Sequence, residues 1–299
     1  MPNLLVVGSL NADLVVRAPR FPQPGETISG EDLQVIPGGK GANQAVAAAR
    51  HGANVVMLGR VGKDNFGDLL QENLESNRVD TELIRRDDAS TGTAIIVVDA
   101  NGQNSIVLSA GANGNVSSSD VEFASFSNFN LLLLQLEIPL PTVLSAAKKA
   151  KENDLRVILN PAPAKELPDV LIALADFIVP NETELSLLSG LPVTDIPSAE
   201  AAAKRLRERG AQNVIVTLGS RGALLVTGEG VTHVDAFQVE VVDTTAAGDA
   251  FIGGFASVLD SSSLPEAVQY ACACGALATT KFGAQPSLPT KEEVEKFMS

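Results

Sequence analysis

The residues best equipped for chemistry lie in Asp243-Thr244-Thr245-Ala246-Ala247-Gly248-Asp249-Ala250-Phe251, where small side chains run between two carboxylates. The segment follows a β-prone run, Val239–Val242, and opens a helix expected over Ala247–Leu259. Small residues at such a point let consecutive backbone amides face an anion, and the helix dipole adds to the attraction. Asp249 is the odd member, because a carboxylate beside an anion site repels the anion unless it has a task. Taking the proton of an attacking hydroxyl is such a task. An Asp in isolation would read as a first-turn partner of the dipole; the surrounding Ala-Ala-Gly shifts the reading toward chemistry.

Three further segments have suitable residue types. Gly38-Gly39-Lys40-Gly41-Ala42-Asn43 stands at a helix entry, where glycines allow a ligand close to unpaired N–H groups; a flexible loop feeding a helix has the same spelling. Asn181-Glu182-Thr183-Glu184 offers oxygen ligands of the kind Mg²⁺ takes alongside water, or simply a capped helix start. Thr217-Leu218-Gly219-Ser220-Arg221-Gly222 is a glycine-bearing turn after a strand, or a plain hairpin leading to Ala223–Val226. No GxxxxGK[ST] and no GxGxxG after the first strand is present, which argues against a P-loop NTPase and an ordinary dinucleotide-binding dehydrogenase.

Composition narrows the partners. The 299 residues carry a formal charge of −14, which disfavours nucleic acid and anionic membranes as partners. Aromatic residues make up 4%, with no Trp, so a base-stacking platform is not expected. Cys272 and Cys274 lack zinc-site spacing and read as buried helix packing. His51, before Gly52 at a helix end, reads as a charge partner of that helix's C-terminus; His233 reads as a surface strand residue. The first residues show no targeting pattern and Leu131–Leu134 is too short to cross a bilayer, so the expectation is a reduced, cytoplasmic protein.

These segments need a scaffold that brings them together. Strands are expected at Leu4–Gly8, Asn54–Leu58, Leu131–Leu136, Arg156–Leu159, Phe177–Val179 and Val214–Thr217. Helices are expected at Ala42–His51, Phe66–Asn77, Pro141–Asn153 and Ser198–Arg209. Strands apolar on both sides and separated by amphipathic helices indicate an α/β fold, with a mostly parallel sheet covered on both faces. Two β-rich insertions, about 13–37 and 90–110, interrupt it, the second with a hairpin signal at Asn101-Gly102. Each is too small for a core of its own, so the expectation is a single 1–299 domain whose insertions join as one small β-sheet lid.

The combination resembles the ribokinase-like carbohydrate kinase family nearly end to end. The resemblance is carried by Gly8-Ser9-Leu10-Asn11-Ala12-Asp13, Pro24-Gly25-Glu26-Thr27, Gly38 to Ala45, Asn160-Pro161-Ala162-Pro163, Pro180 to Glu184, Asp243 to Asp249 and Gly283-Ala284-Gln285-Pro286-Ser287. It implies that family's fold and phosphoryl transfer from ATP to the 5-hydroxyl of D-ribose. By the same resemblance Asn11, Asp13, Gly39, Lys40, Asn43 and Glu137 would hold the sugar, and Asp249 would be the base. Amides of Ala246, Ala247 and Gly248 would stabilise the transferring phosphoryl group. ATP would lie along Thr217, Gly219, Ser220 and Gly222, with Asn181 near the phosphates, Cys272 near the adenine and Glu184 helping to organise Mg²⁺. Asp243, Thr245, Ala278, Lys281, Gly283 and Ser287 would hold a monovalent cation, usually K⁺, several through backbone carbonyls. Two lids would pair into a homodimer, and Asp13 would sit at the lid base. A kinase for deoxyribose, fructose or adenosine and a non-catalytic sugar or nucleotide sensor are the alternatives.

Overall fold

Leu4, Leu5, Val6 and Val7 are all fully buried, which a strand permits only where both faces of its sheet are covered. The computed structural model, which describes residues 2–299, sets them inside a ten-stranded sheet. The strands run β1 (Asn3–Val7), β2 (Asn11–Arg17), β3 (Gln34–Gly38), β4 (Asn54–Gly62), β5 (Val79–Asp80), β6 (Ile84–Asp87) and β7 (Gly92–Val98). They continue as β8 (Asn104–Ser109), β9 (Leu131–Leu134), β10 (Arg156–Leu159), β11 (Phe177–Ile178), β12 (Asn213–Thr217), β13 (Ala223–Val226) and β14 (Val231–Val234). The helices are α1 (Lys40–Arg50), α2 (Asn65–Ser76), α3 (Ser118–Phe123), α4 (Leu140–Glu152) and α5 (Asp169–Leu174). After them come α6 (Glu182–Ser189), α7 (Ile196–Glu208), α8 (Ala247–Val258), α9 (Leu264–Ala278) and α10 (Lys291–Met298).

The large sheet has the order β14-β13-β12-β11-β10-β9-β1-β4-β5, with β6 also on β4. From β12 through β9 and β1 to β4 neighbours are parallel; β13 and β14 are added antiparallel at one edge. Side-chain alternation divides the apolar strands between two cores. Leu4, Val6, Leu131 and Leu133 pack toward α1, α2, α8, α9 and α10. Leu5, Val7, Leu132 and Leu134 pack toward α3, α4, α5, α6 and α7.

The two β-rich insertions pair into one four-stranded sheet of order β3-β2-β7-β8. Asp13, Val15, Arg17, Ile36 and Ile96 turn one face of it to a cavity against the body. Val35, Ile95 and Val107 lie in register on the other face and are 38%, 51% and 65% exposed.

Val239–Val242 corrects the sequence expectation: no strand forms there. Its alternation is strand-like, but no neighbouring strand pairs with it. The amide of Val242 bonds instead to the Thr279 carbonyl, and the Val241 and Val242 side chains stay exposed.

The parallel strands all point their carboxyl ends to one edge, where open α/β sheets carry their ligands. Ser9 follows β1, Gln135 and Glu137 follow β9, Asn160 follows β10, Asn181 follows β11, and Thr217 ends β12. Across that edge α1 and α8 approach closely. A Cβ on Gly253 would lie 2.4 Å from the Ala47 Cβ, so only small residues allow the approach. The alanine-rich sequence of α1 therefore decides how near its first turn comes to Asp249.

Candidate active site

Asp249 is buried in the first turn of α8, and both its oxygens are held from α1. The Asn43 Nδ2 donates to Oδ2 and the Gln44 Nε2 donates to Oδ1, each at 2.9 Å. Burial pushes the carboxyl's pKa up, while Lys40, Asn43 and Gln44 pull it down. Partial burial would lower the pKa of Lys40, yet Asp249, Glu137, Glu184 and Asp13 together hold it above the ordinary value. The Lys40 ammonium is therefore charged in this nest of carboxylates.

Asn11, Asp13, Gly39, Lys40, Asn43 and Glu137 come together beside it. Glu137 accepts from the Ser9 hydroxyl at 2.5 Å and from the Lys40 amide at 3.0 Å, which orients it. Gly39 has φ 89°, and a Cβ there would sit 2.7 Å from the Asn11 amide nitrogen, so the bend that starts α1 needs glycine. Burial, then the charges of Glu137 and Asp249, pushes Asp13 to a pKa of about 7. The Asn43 Oδ1 is buried and, among the described residues, accepts from nothing. An orphaned buried acceptor is costly, and a ligand hydroxyl would satisfy it.

On the other side of Asp249 a cavity of about 190 Å³ is lined by Lys40, Asn181, Glu184, Thr217, Ala246 and Gly248, among others. Ala246 caps α8 in the left-handed region at φ 60°. Among the described residues the amides of Ala246, Gly248 and Asp249 donate to nothing; that of Ala247 makes a long 3.3 Å bond to the Thr244 carbonyl. The free amides thus differ by one residue from those expected. A Cβ added to Gly248 would meet no atom within 4 Å, so the glycine leaves room in the cavity rather than serving packing. Such a helix start is suited to an anion.

Asn181 and Glu184 form the reciprocal cap of α6, Asn181 N–H to Oε2 at 2.9 Å and Glu184 N–H to Oδ1 at 2.8 Å. The capped helix start is formed, and Asn181 and Glu184 also line the cavity. Gly219, Ser220 and Gly222 lie in the turn of the β12–β13 hairpin beyond Thr217. Gly222 has φ 85°, and a Cβ there would strike the Val234 carbonyl.

Asp243 ties its loop to the segment after α9, accepting from the Thr245 hydroxyl at 2.7 Å and the Gly283 amide at 2.9 Å. Ala278 ends α9 and Ser287 is buried nearby in the chain. The Lys281 ammonium turns outward to Glu293 at 2.7 Å, so only its carbonyl is available to a cation here. Cys272 packs in the core, does not line the cavity at Asp249, and has its thiol pushed up to about 12 by burial. His51 corrects the sequence expectation. Burial lowers its pKa to about 4, so it is neutral at pH 7 and hydrogen-bonds the Tyr270 hydroxyl at 2.8 Å instead of adding charge. His233 lies in β14, as expected.

Sequence reading missed the supports. Asn113 binds the Asn11 Oδ1 at 2.8 Å and both backbone groups of Leu10 at 2.9 Å. Gln135 and Asn160 reach Gln44. The available signal was a polar residue placed directly after an all-apolar strand, as Gln135 follows Leu131–Leu134.

Comparison with known proteins agrees with this arrangement. Residues 1–291 match the model of the pfkB family carbohydrate kinases. A ribokinase of Haemophilus influenzae is 43% identical over 99% of this chain and 98% of its own. A deoxyribokinase of Salmonella typhi is 41% identical over 99% of each. The structure of an Arabidopsis thaliana ribokinase complexed with ribose and ATP superposes with a TM-score of 0.92 at 35% identity, covering 100% of this chain and 99% of that one.

Proposed function

The chain belongs to the pfkB family of carbohydrate kinases, and from that premise we propose that it transfers the γ-phosphoryl group of ATP to the 5-hydroxyl of D-ribose, giving D-ribose 5-phosphate. One observation carries the chemistry: a buried carboxylate, Asp249, shares a cavity with unpartnered amides of its own helix start. The sugar assignment is supported by the polar cluster of Asn11, Asp13, Asn43 and Glu137 and by the ribokinase relatives. An ATP-coupled assay over ribose, 2-deoxyribose, fructose and adenosine tests the reading; a wide preference for adenosine would overturn it.

In this reading the sugar lies between the small sheet and α1. Asp13 and Glu137 accept from its hydroxyls, and Asn43 Oδ1 gains the donor it lacks. A sugar missing such a hydroxyl leaves these groups unpaired, which is the basis of discrimination. Asp249 accepts the proton of the attacking 5-hydroxyl. The amides of Ala246, Gly248 and Asp249, with the weakly bonded one of Ala247, receive the charge on the transferring group without reorganising. Lys40 adds a positive charge between the two sites. Closure of the small sheet as a lid would exclude water from the activated base.

The nucleotide would extend over Thr217 and the Gly219–Gly222 turn. The residues present fit Mg²⁺ held mostly by phosphate oxygens and water, because Glu184 and Asn181 line the cavity as a single carboxylate–amide pair. The ion supplies charge neutralisation on the phosphates. A monovalent cation would sit at the junction joined by Asp243, whose side chain brings Thr245 and Gly283 together. Asp243, Thr245, Ala278, Lys281, Gly283 and Ser287 are the positions that would hold it.

A homodimer through the small sheets is supported by the exposed apolar face of Val35, Ile95 and Val107, which a second copy would cover. Both cysteines are free and buried, which suits a reducing, cytoplasmic setting. Among the described residues no helix is long and apolar enough to cross a membrane.

A second reading, with 2-deoxyribose as preferred substrate, rests on the deoxyribokinase relative, whose identity is nearly that of the ribokinases. The ratio of kcat/KM for the two sugars decides between them.

A further inference from the structure

Beside Asp249 a relay of buried amides runs from Val179 and Asn160, which line the cavity at Asp249, to Gln44 and Gln135, which do not. The Val179 backbone carbonyl can only accept, and it accepts from the Asn160 Nδ2 at 3.0 Å. Asn160 must then turn its Oδ1 to Gln44, whose Nε2 donates to it at 3.1 Å. The same Nε2 donates to Asp249 Oδ1 at 2.9 Å, and the Gln44 Oε1 takes the Gln135 Nε2 at 2.6 Å. Flipping any of these amides sets donor against donor or acceptor against acceptor. Gln44 and Gln135 are fully buried, so water cannot substitute for a lost partner.

We propose that Gln44 is the positioning residue of this site: it holds the Asp249 carboxylate in the acceptor state, facing the sugar hydroxyl, and its own amide is oriented from the far end of the relay by the Val179 carbonyl. It is not a catalytic residue, since neither it nor Gln135 lines the cavities. Both side-chain partners of Asp249 are donors, Gln44 on one oxygen and Asn43 on the other. The charges around Asp249 do not ensure this state. Lys40 from α1 favours the ionised form, while Asp13 from β2, Glu137 after β9 and Glu184 from α6 oppose it, as does burial. The uncharged donors act with Lys40 against burial, on the side of the ionised form.

The inference rests on Asp249 being the base. Gln44→Met keeps the side chain's length and removes its amide. We expect kcat to fall at least about tenfold, the ribose KM to stay within about threefold, and the acid limb of the kcat/KM profile to move up by about one pH unit. Gln135→Met should move the limb the same way by less, because Gln44 then loses the donor to its Oε1 and is oriented by Asn160 alone; it decides the matter if Gln44→Met does not fold. Unshifted limbs with near-normal kcat, in a background where Asp249→Asn is inactive, overturn the positioning role alone. If Asp249→Asn keeps its turnover, the base assignment fails and this inference with it.

Discussion

The Asn43 amide donates to Asp249 Oδ2 at 2.9 Å, and among the described residues its own buried carbonyl oxygen accepts nothing. One side chain thus holds the carboxylate and leaves an acceptor unpaired where the sugar is proposed to lie. Asn43→Ala should raise the ribose KM about fivefold to tenfold, the worth of a lost hydrogen bond, and also lower kcat. Steady-state kinetics check this, and an unchanged KM would remove Asn43 from the sugar site.

Asp13 gives a pH dependence whose sign follows from its environment. Its pKa rises from 3.8 to about 7 on folding, so between these values the folded chain keeps a proton that the unfolded chain has lost. Stability contributed by this group therefore falls as pH rises from about 4 to 7 and remains low above. Asp13→Asn should raise the Tm of the ligand-free protein at pH 8, by about 2–4 °C for each kcal/mol relieved, with little effect at pH 4, while weakening ribose binding. Thermal scans at both pH values test it; equal shifts at the two would contradict the assignment.

Gly248 separates stability from function. Its added Cβ meets only open space, and alanine favours helix by up to about 1 kcal/mol. Gly248→Ala should leave Tm unchanged or higher and lower kcat by about tenfold or more, because the methyl group occupies the proposed phosphoryl position. Thermal melting with a coupled assay on the same preparation reads both.

The outer face of the small sheet predicts assembly. Ile95→Glu with Val107→Glu would set two charges on adjacent, registered positions of that face. Analytical ultracentrifugation should then find monomer where the parent chain sediments as dimer. A parent chain that is monomeric at micromolar concentration would contradict the proposed interface.

Much of this architecture is legible in the sequence because its signals are local. Leu4–Val7, Leu131–Leu134 and Arg156–Leu159 announce themselves by composition, and Asn101-Gly102 announces its hairpin. Val239–Val242 misleads because alternation cannot reveal whether a partner strand exists. His51 misleads for a related reason: its burial comes from Tyr270 and Cys274, more than 200 positions away. The site divides the same way. Asp249, the Gly38–Ala45 segment and Asn160 lie in motif spellings, but the roles of Gln44, Gln135 and Asn160 emerge only once three strand ends and two helices meet. The contacts of Gln44 with Gln135, Asn160 and Asp249 span 91 to 205 positions, and no local pattern encodes them.

The central claim is that Asp249 takes the proton from the sugar's 5-hydroxyl, and Asp249→Asn tests it most directly. Calorimetry should find ribose bound within about threefold of the parent affinity, while kcat for ATP-dependent phosphorylation falls by about 10²–10⁴-fold, the usual contribution of a positioned base. A variant that binds ribose and turns over near the parent rate would contradict the claim.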